Sequence, residues 1–214
     1  MLNKISFFRL QPIVKISKGE FSVYAHEVLL RPSDLNDVNL ESFFDSLSIF
    51  SFKKLFMIQF SIFSNRDGFY FINVPTQLFL SNGFVSKHAL SKRNNINIEI
   101  QNPKLLLDLD EFELAIIRNE ILILQNNGVK VWLDDIDDKF LDIAIYLGVD
   151  GVKLDKYFVW SELSILELAN SFRSFGIDVL AEGVENNIHL NKIFSSNINL
   201  AQGFFWPEML VNFD

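Results

Sequence analysis

Residues Val129 to Asp142 read VKVWLDDIDDKFLD, and this stretch decides how the rest of the chain is interpreted. It contains a short apolar run, Val131-Trp132-Leu133, of the kind that fills a buried strand. The nine residues from Asp134 to Asp142 then contain five aspartates. The stretch is therefore either a solvated acidic turn or a strand that delivers paired carboxylates to a metal ion.

The composition indicates a single folded domain over residues 1–214. Hydrophobic residues make up 49% of the chain, with 23 phenylalanines and only 9 glycines, which excludes a disordered protein. A chain of 214 residues can bury a substantial core, and no linker, repeat or low-complexity segment divides it. We expect one compact domain.

The charge pattern excludes several classes of partner. The formal net charge is −8, and no cluster of Lys and Arg forms the basic stripe that a general nucleic-acid-binding surface needs. Cysteine is absent, so disulfides and thiolate metal sites are excluded. No signal peptide or membrane-spanning stretch is visible. We therefore expect a soluble, cytoplasmic protein that binds neither nucleic acid in general nor a membrane.

Short apolar runs alternate with longer amphipathic ones along the chain. Strands are predicted at Leu10–Val14, Tyr24–Leu30, Phe69–Val74, Ile96–Ile100, Val129–Leu133, Gly151–Leu154, Ile177–Ala181 and Leu200–Phe204. Helices are predicted at Leu55–Phe63, Glu111–Gln125, Ser161–Phe175 and Asn186–Phe194. Repeated strand–helix units favour an α/β fold of the (β/α)8 TIM-barrel type, with a doubly wound open sheet as the alternative.

A polar residue stands at or just beyond the end of each predicted strand. In order, these residues are Gln11, Glu27, Asn73, Glu99, Asp134 with Asp135, Lys153, Glu182 and Gln202. In a barrel, the carboxyl ends of the strands form one rim, where active sites gather. Residues scattered over almost the whole chain would therefore converge on one mouth.

Carboxylates and an amide carbonyl are oxygen ligands suited to Mg²⁺, Mn²⁺ or Ca²⁺. Adjacent aspartates at a strand end allow Asp134 to bridge two ions while Asp135 serves the second. Two such ions activate water and stabilise both oxygens of an in-line phosphoryl displacement. Lys153 on the same rim would orient that water or balance phosphate charge. This set of residues is expected of a metal-dependent phosphodiesterase.

The segments around these residues resemble a known family. They read LQPIV, AHEVLLRP, FINVP, INIEI, VKVWLDD, GVDGVKLD, VLAEGVE and AQGFF, in the order typical of EAL domains, the bacterial phosphodiesterases of cyclic di-GMP. The resemblance covers Gln11 to about Phe205, with Glu27-Val28-Leu29 in place of the tripeptide that names the family. It suggests a stand-alone EAL protein with an altered loop after the paired aspartates, and it implies a barrel whose first strand is antiparallel to the others.

The resemblance also implies a role for each rim residue. The implied metal ligands are Glu27, Asn73, Glu99, Asp134 and Asp135. The implied catalytic residues are Lys153, Glu182, Asp135 and Gln202. The implied substrate contacts are Gln11, Arg31 and Asp155. Two Mg²⁺ or Mn²⁺ ions would act in each site, and Ca²⁺ would inhibit. The reaction would open cyclic di-GMP to linear pGpG, and a homodimer or a regulatory protein partner would be compatible with the family.

The chain departs from the family pattern in one region. Members usually follow the paired aspartates with a glycine-rich DDFGTGYSSL loop, whereas this chain has DDIDDKFLDI. Asn102 also stands where the family favours a glutamate that braces this loop. We expect a direct helix start capped by Asp137 or Asp138. Asp137, Asp138 and Asp142 are interpreted as capping or solvent-facing residues.

Alternative interpretations remain for single residues and for the whole protein. Asp134 and Asp135 could cap a helix, Glu27 could pair with Arg31, and Asn73 could cap a turn before Pro75. For the whole chain, the alternative to an active phosphodiesterase is a catalytically weak or inactive EAL module that acts as a cyclic di-GMP receptor or protein-binding regulator. Either would act in a switch between motility and biofilm growth.

Overall fold

Nine strands form one sheet in the computed structural model, which describes residues 5–32, 44, 46–89, 94–161 and 165–212. The strands are β1 (Ile5–Ser17), β2 (Glu20–Pro32), β3 (Tyr70–Pro75), β4 (Ile96–Gln101), β5 (Lys130–Ile136), β6 (Gly151–Leu154), β7 (Asp178–Ala181), β8 (Leu200–Gln202) and β9 (Met209–Asn212). Most contain Val, Ile, Leu and Phe in near-continuous runs, as strands covered on both faces require.

The first eight strands close into a barrel. From β2 to β8, each strand lies parallel to the next, while β1 lies between β8 and β2 and is antiparallel to both. The predicted α/β barrel and its antiparallel first strand are confirmed. The open-sheet alternative is wrong, because β1 joins the two edges that an open sheet would leave free.

Strand β9 was not predicted. It pairs with β1 at residues 7–10, on the edge that β8 leaves free after pairing with residues 13–15. Strand β8 also stops at Gln202 rather than at Phe204 as predicted. Beyond it the backbone N–H of Phe205 donates to the carbonyl of Val184, so the chain turns away from the barrel.

The helices of the described ranges are α1 (Ile49–Phe63), α2 (Thr76–Phe79), α3 (Phe84–His88), α4 (Glu111–Asn126), α5 (Leu141–Leu147), α6 (Lys156–Trp160), α7 (Ile165–Ser174) and α8 (Asn187–Ser195). Local sequence defines their ends: Asp110 and Glu113 form a reciprocal capping box at the start of α4. The predicted helix Ser161–Phe175 corresponds to α7, although residues 162–164 lie outside the described part. None of the described helices combines the length and apolar character needed to cross a membrane.

The interior of the barrel has an apolar floor. A compact cluster fills it, formed by Ile13, Ala25, Phe71, Trp132, Leu180 and Leu200. The outer faces of the strands pack with the helices in a second, larger cluster. Because side chains alternate between the faces of a strand, the residue two positions along from each floor residue also faces the interior.

Gly151 is required by the floor. A Cβ atom at this position would lie 2.4 Å from the ring of Trp132, which is fully buried beside it. The sequence therefore combines the largest side chain of the floor with the smallest residue on the neighbouring strand.

We expect Gly151→Ala to lower the free energy of unfolding by about 1–3 kcal/mol, as other overpacked cores do. In a Trp132→Leu background the indole ring is absent, so Gly151→Ala should lower the free energy of unfolding by a clearly smaller amount. Denaturant unfolding of the four proteins of this double-mutant cycle measures the difference. Equal losses in both backgrounds would contradict the packing argument.

Candidate functional site

A layer of polar side chains lies directly above the apolar floor, toward the carboxyl ends of the parallel strands. Each member lies two positions along its strand from a floor-level residue. The layer consists of Gln11, Glu27, Asn73, Glu99, Asp134, Lys153, Glu182 and Gln202. The side chains predicted to meet at the rim are therefore brought together.

The ammonium of Lys153 lies at the centre of this layer. Its Nζ atom lies 2.7 Å from Glu182 and 2.8 Å from Asp134, and 3.2 and 3.3 Å from Glu27 and Glu99. The lysine side chain is 1% exposed. Strands β2, β4 and β5 and the residue directly after β7 thus contribute carboxylates to one buried cation.

Amide side chains fix the orientation of Glu27. Asn73 donates to its Oε1 at 2.6 Å, and Gln202 donates to its Oε2. Gln202 Nε2 also donates to the side-chain Oε1 of Gln11 at 3.0 Å. The described partners of the Glu27 carboxylate are Asn73, Lys153 and Gln202. The alternative, pairing with Arg31, falls on a side chain outside the described part of the structure. Asn73 likewise contacts Glu27 rather than only capping a turn.

Burial and mutual repulsion perturb the acids of this layer. Burial raises the pKa of Asp134 to about 6, with the charges of Asp135 and Glu27 adding to the effect. Burial likewise raises the pKa of Glu99 and of Glu182 well above their usual range. For Glu27, burial also acts upward, but the charge of Lys153 and the amide hydrogen bonds outweigh it and lower the pKa.

The pKa of Lys153 moves in the opposite direction to that expected from burial alone. Burial would lower it, but the surrounding carboxylates hold it well above its usual value. The lysine is therefore a permanent cation in this site.

Asp134, Asp135 and Glu182 form a separate grouping within the site. One carboxylate oxygen from each lies within 4.8 Å of the others. A bulge in β5 between Leu133 and Ile136 lets both adjacent aspartates face this point, with Asp135 in the left-handed region at φ 48°. Few residues other than glycine adopt this conformation, which here directs the Asp135 side chain toward the grouping.

The residues present fit a divalent cation. The layer holds more carboxylate than one ammonium neutralises, and oxygen ligands of this kind are those that Mg²⁺ and Mn²⁺ prefer. In addition, Asn73 Oδ1 and Glu99 Oε1 are buried acceptors that no donor of the described residues satisfies. Buried acceptors without a donor are costly unless a cation or another donor reaches them.

The remaining aspartates of the opening stretch lie away from this grouping. Asp137 accepts a hydrogen bond from the backbone N–H of Lys139 at 3.0 Å and caps a 3₁₀ turn over Asp138–Phe140, which leads directly into α5. Asp138 and Asp142 are exposed. Asp137 therefore caps, as expected, but it caps the 3₁₀ turn rather than α5 itself, whose N-cap is Phe140 without a side-chain hydrogen bond.

Of the predicted substrate contacts, Asp155 lies outside the polar layer. The carboxylate of Asp155 caps α6 by accepting from the backbone N–H of Tyr157 at 2.7 Å, and it lines a cleft of about 710 Å³ next to Asp135. Asn102, at φ 53°, lines the same cleft. Arg31 lies on β2, but its side chain lies outside the described part of the structure.

Sequence reasoning missed a cation at the mouth. Arg9 lies two positions before Gln11 on β1 and lines a cavity of about 190 Å³ together with Asn73 and Gln101. Counting alternate residues outward from Gln11 along the antiparallel strand would have found it.

Comparison with known proteins places this site in a family. A model described as the EAL domain matches residues 2–208. The chain belongs to the EAL domain family. No curated protein matches the EAL chain in sequence.

Several solved EAL structures are similar in fold. Klebsiella pneumoniae BlrP1, in a calcium and cyclic di-GMP complex, has a TM-score of 0.77 at 20% identity over 98% of this chain and 57% of its own. An EAL domain protein from Listeria monocytogenes EGD-e has a TM-score of 0.72 and 21% sequence identity, and the match covers 97% of this chain and 90% of that protein. Bacillus subtilis YkuI, in complex with the substrate cyclic di-GMP and calcium, has a TM-score of 0.73 and 16% sequence identity. That match covers 100% of this chain and 57% of YkuI. This chain thus spans little more than half of two of these relatives.

The grouping of Asp134, Asp135 and Glu182 predicts which aspartates bind metal. Asp135→Ala should weaken Mn²⁺ binding by roughly 10- to 100-fold, because it removes a ligand. Asp138→Ala, three residues farther along and exposed, should leave binding unchanged. Isothermal titration calorimetry with Mn²⁺ on both variants checks this. Equal weakening would show that the altered loop, rather than the strand end, holds the ion.

Proposed function

We propose that this EAL domain is a metal-dependent phosphodiesterase that hydrolyses cyclic di-GMP to linear pGpG. The observation that carries the proposal is the buried Lys153 ammonium contacted by four carboxylates, next to the grouping of Asp134, Asp135 and Glu182. This arrangement lies at the carboxyl ends of the barrel strands, where active sites of such barrels gather. It combines acidic metal ligands, a fixed cation and an acid with a raised pKa in one mouth.

Two Mg²⁺ or Mn²⁺ ions are the proposed cofactors. Glu27, Asn73, Glu99 and Asp134 would hold the first, and Asp134 and Asp135 would hold the second. When bound, the ions would supply activation of water and neutralisation of phosphate charge. We propose that Ca²⁺ occupies the same ligands but inhibits, since it tolerates looser geometry than Mg²⁺.

The chain's own residues would position the reacting groups. Glu182 is suited to accept the proton of the attacking water, because its carboxylate lies beside Lys153 and within the grouping of Asp134 and Asp135, and burial raises its pKa so that it is a stronger base than an ordinary glutamate. Lys153 would donate hydrogen bonds to the water or to a phosphate oxygen, and Gln202 would hold Glu27 in place. A bond forms between the water oxygen and phosphorus, and the bond from phosphorus to the 3′ oxygen breaks, with the proton passing to the leaving oxygen.

Cyclic di-GMP is the proposed substrate because the family acts on it. The solved complexes of BlrP1 and YkuI contain this dinucleotide together with calcium. An anionic ligand needs cations in so acidic a mouth, which is consistent with a metal requirement. Gln11, Arg31 and Asp155 remain the proposed substrate contacts. In the cytoplasm, this activity would lower cyclic di-GMP and act on the switch between motility and biofilm growth, with a homodimer or a regulatory partner as the means of control.

One observation favours a second candidate, a weakly active or inactive cyclic di-GMP receptor or protein-binding regulator. The segment after Asp135 is a short capped turn leading into α5, where the family usually has a glycine-rich loop. Asn102 also stands at the position of the family's bracing glutamate. If this turn does not support the second ion, the domain would bind the dinucleotide without rapid hydrolysis.

The assay that separates the two candidates measures pGpG formed from cyclic di-GMP in Mg²⁺ or Mn²⁺. We expect turnover by the wild-type protein and a loss of roughly 100-fold or more for Glu27→Ala, which removes a ligand and the partner of Lys153.

Glu167→Ala is the matched control, because Glu167 is exposed on α7. It should retain full activity. Wild-type turnover no greater than that of Glu27→Ala would exclude the enzyme, and tight cyclic di-GMP binding in the same sample would then support the receptor.

A further inference from the structure

A third layer of side chains lies above the polar layer, at the open end of the barrel. Arg9, Leu29, Pro75 and Gln101 each lie two positions beyond a residue of the polar layer on strands β1 to β4. All four line the same cavity of about 190 Å³. Asn73, a member of the polar layer, lines the same cavity.

The cavity has mostly apolar walls. Leu29, Leu30, Phe52 and Pro75 form part of its lining, and Asn73 connects it to the polar layer. A flat, largely apolar ring with polar atoms on its edge suits such a space better than a bare phosphate would. The cavity is too small for a whole cyclic dinucleotide, so it would hold one of its bases.

Arg9 is the only cation among the described residues that line this cavity. Its Nη1 atom lies 3.2 Å from Glu208, next to β9, and both side chains are partly exposed at 27% and 20%. The pair is incompletely satisfied, because Arg9 Nε and Glu208 Oε1 are buried without a hydrogen-bond partner. The guanidinium is therefore anchored at one side by Glu208 and only partly satisfied by that contact.

We propose that Arg9 is a specificity-determining residue that donates hydrogen bonds to the acceptor edge of a guanine base held in this cavity. Guanine presents two adjacent acceptors, O6 and N7, to which the arginine fork is complementary. Adenine carries an amino donor in place of O6, so it cannot accept both hydrogen bonds. The inference rests on the proposed function, since the base belongs to cyclic di-GMP.

Glu208 provides the variant that separates recognition from structure. If Arg9 only anchors β9, then removing either partner of the ion pair should have the same effect. If Arg9 contacts the base, Glu208→Gln should leave dinucleotide binding nearly unchanged while Arg9→Met weakens it. Lys15→Met removes a positive charge from the same strand at an exposed position and controls for net charge.

The test is calorimetric titration of the full chain and these variants with cyclic di-GMP and with cyclic di-AMP, in Ca²⁺ to limit hydrolysis. Arg9→Met should weaken cyclic di-GMP binding by roughly 10- to 100-fold, as expected for hydrogen bonds from a charged donor. Its affinity for cyclic di-AMP should change little, so the preference for guanine should fall by the same factor. Glu208→Gln and Lys15→Met should behave as wild type.

Equal weakening toward both dinucleotides would overturn the proposal, because it would place Arg9 on a phosphate. Equal effects of Arg9→Met and Glu208→Gln would also overturn it and leave a structural ion pair. Failure of the wild-type protein to bind cyclic di-GMP at all would overturn the proposed function along with this inference. Normal wild-type binding with an unaffected Arg9→Met variant would overturn this inference alone.

Discussion

The contact on which the rest of this structure depends is that of the Lys153 ammonium with Glu27, Glu99, Asp134 and Glu182. These side chains come from β2, β4, β5 and the residue directly after β7, and burying so many carboxylates without a cation would be prohibitive. The lysine therefore stabilises the same acids that a metal site needs. Because its pKa is held well above the usual value, this compensation persists throughout the physiological pH range. It explains how a protein with a net charge of −8 keeps an acidic centre folded.

The barrel produces this centre by layering. An apolar floor that includes Trp132 closes the interior, the polar layer rests on it, and Arg9 with its neighbours forms the mouth. Alternation along each strand links the layers. On β2, β3 and β5 an apolar floor residue is followed two positions later by a polar one, so the same local pattern specifies both stability and chemistry. Gly151 and Trp132 show how closely the floor is packed below the site.

Much of this arrangement could be predicted from the sequence, because polar residues at the ends of apolar strands are conspicuous and a barrel brings strand ends together. The same reasoning separated Asp134 and Asp135 from the capping Asp137. Other features depend on contacts between distant parts of the chain. Lys153 meets Glu27 across 126 positions, and only closure of the barrel shows that it contacts four acids at once. Strand β9 is specified by the edge of β1 that β8 leaves free, and Arg9 gains its position from that same antiparallel strand.

The most direct test of this account is the free energy of unfolding of Lys153→Met against wild type, measured by denaturant titration in EDTA at pH 7 and pH 5. A carboxyl group whose pKa is raised in the folded state destabilises the fold when it is ionised. This loss of stability is absent at low pH and is complete once the pH has risen through the folded pKa, which for Asp134 is about 6. Without the ammonium, the cost of ionisation at pH 7 should be about 3–5 kcal/mol, the usual consequence of removing one partner from a buried ion pair. At pH 5 Asp134, whose pKa is about 6, takes up a proton while Glu27 with its lowered pKa stays ionised, so the loss should be clearly smaller but not absent. An equal loss at both pH values, or none at pH 7, would contradict the claim that Lys153 stabilises the carboxylates of the site.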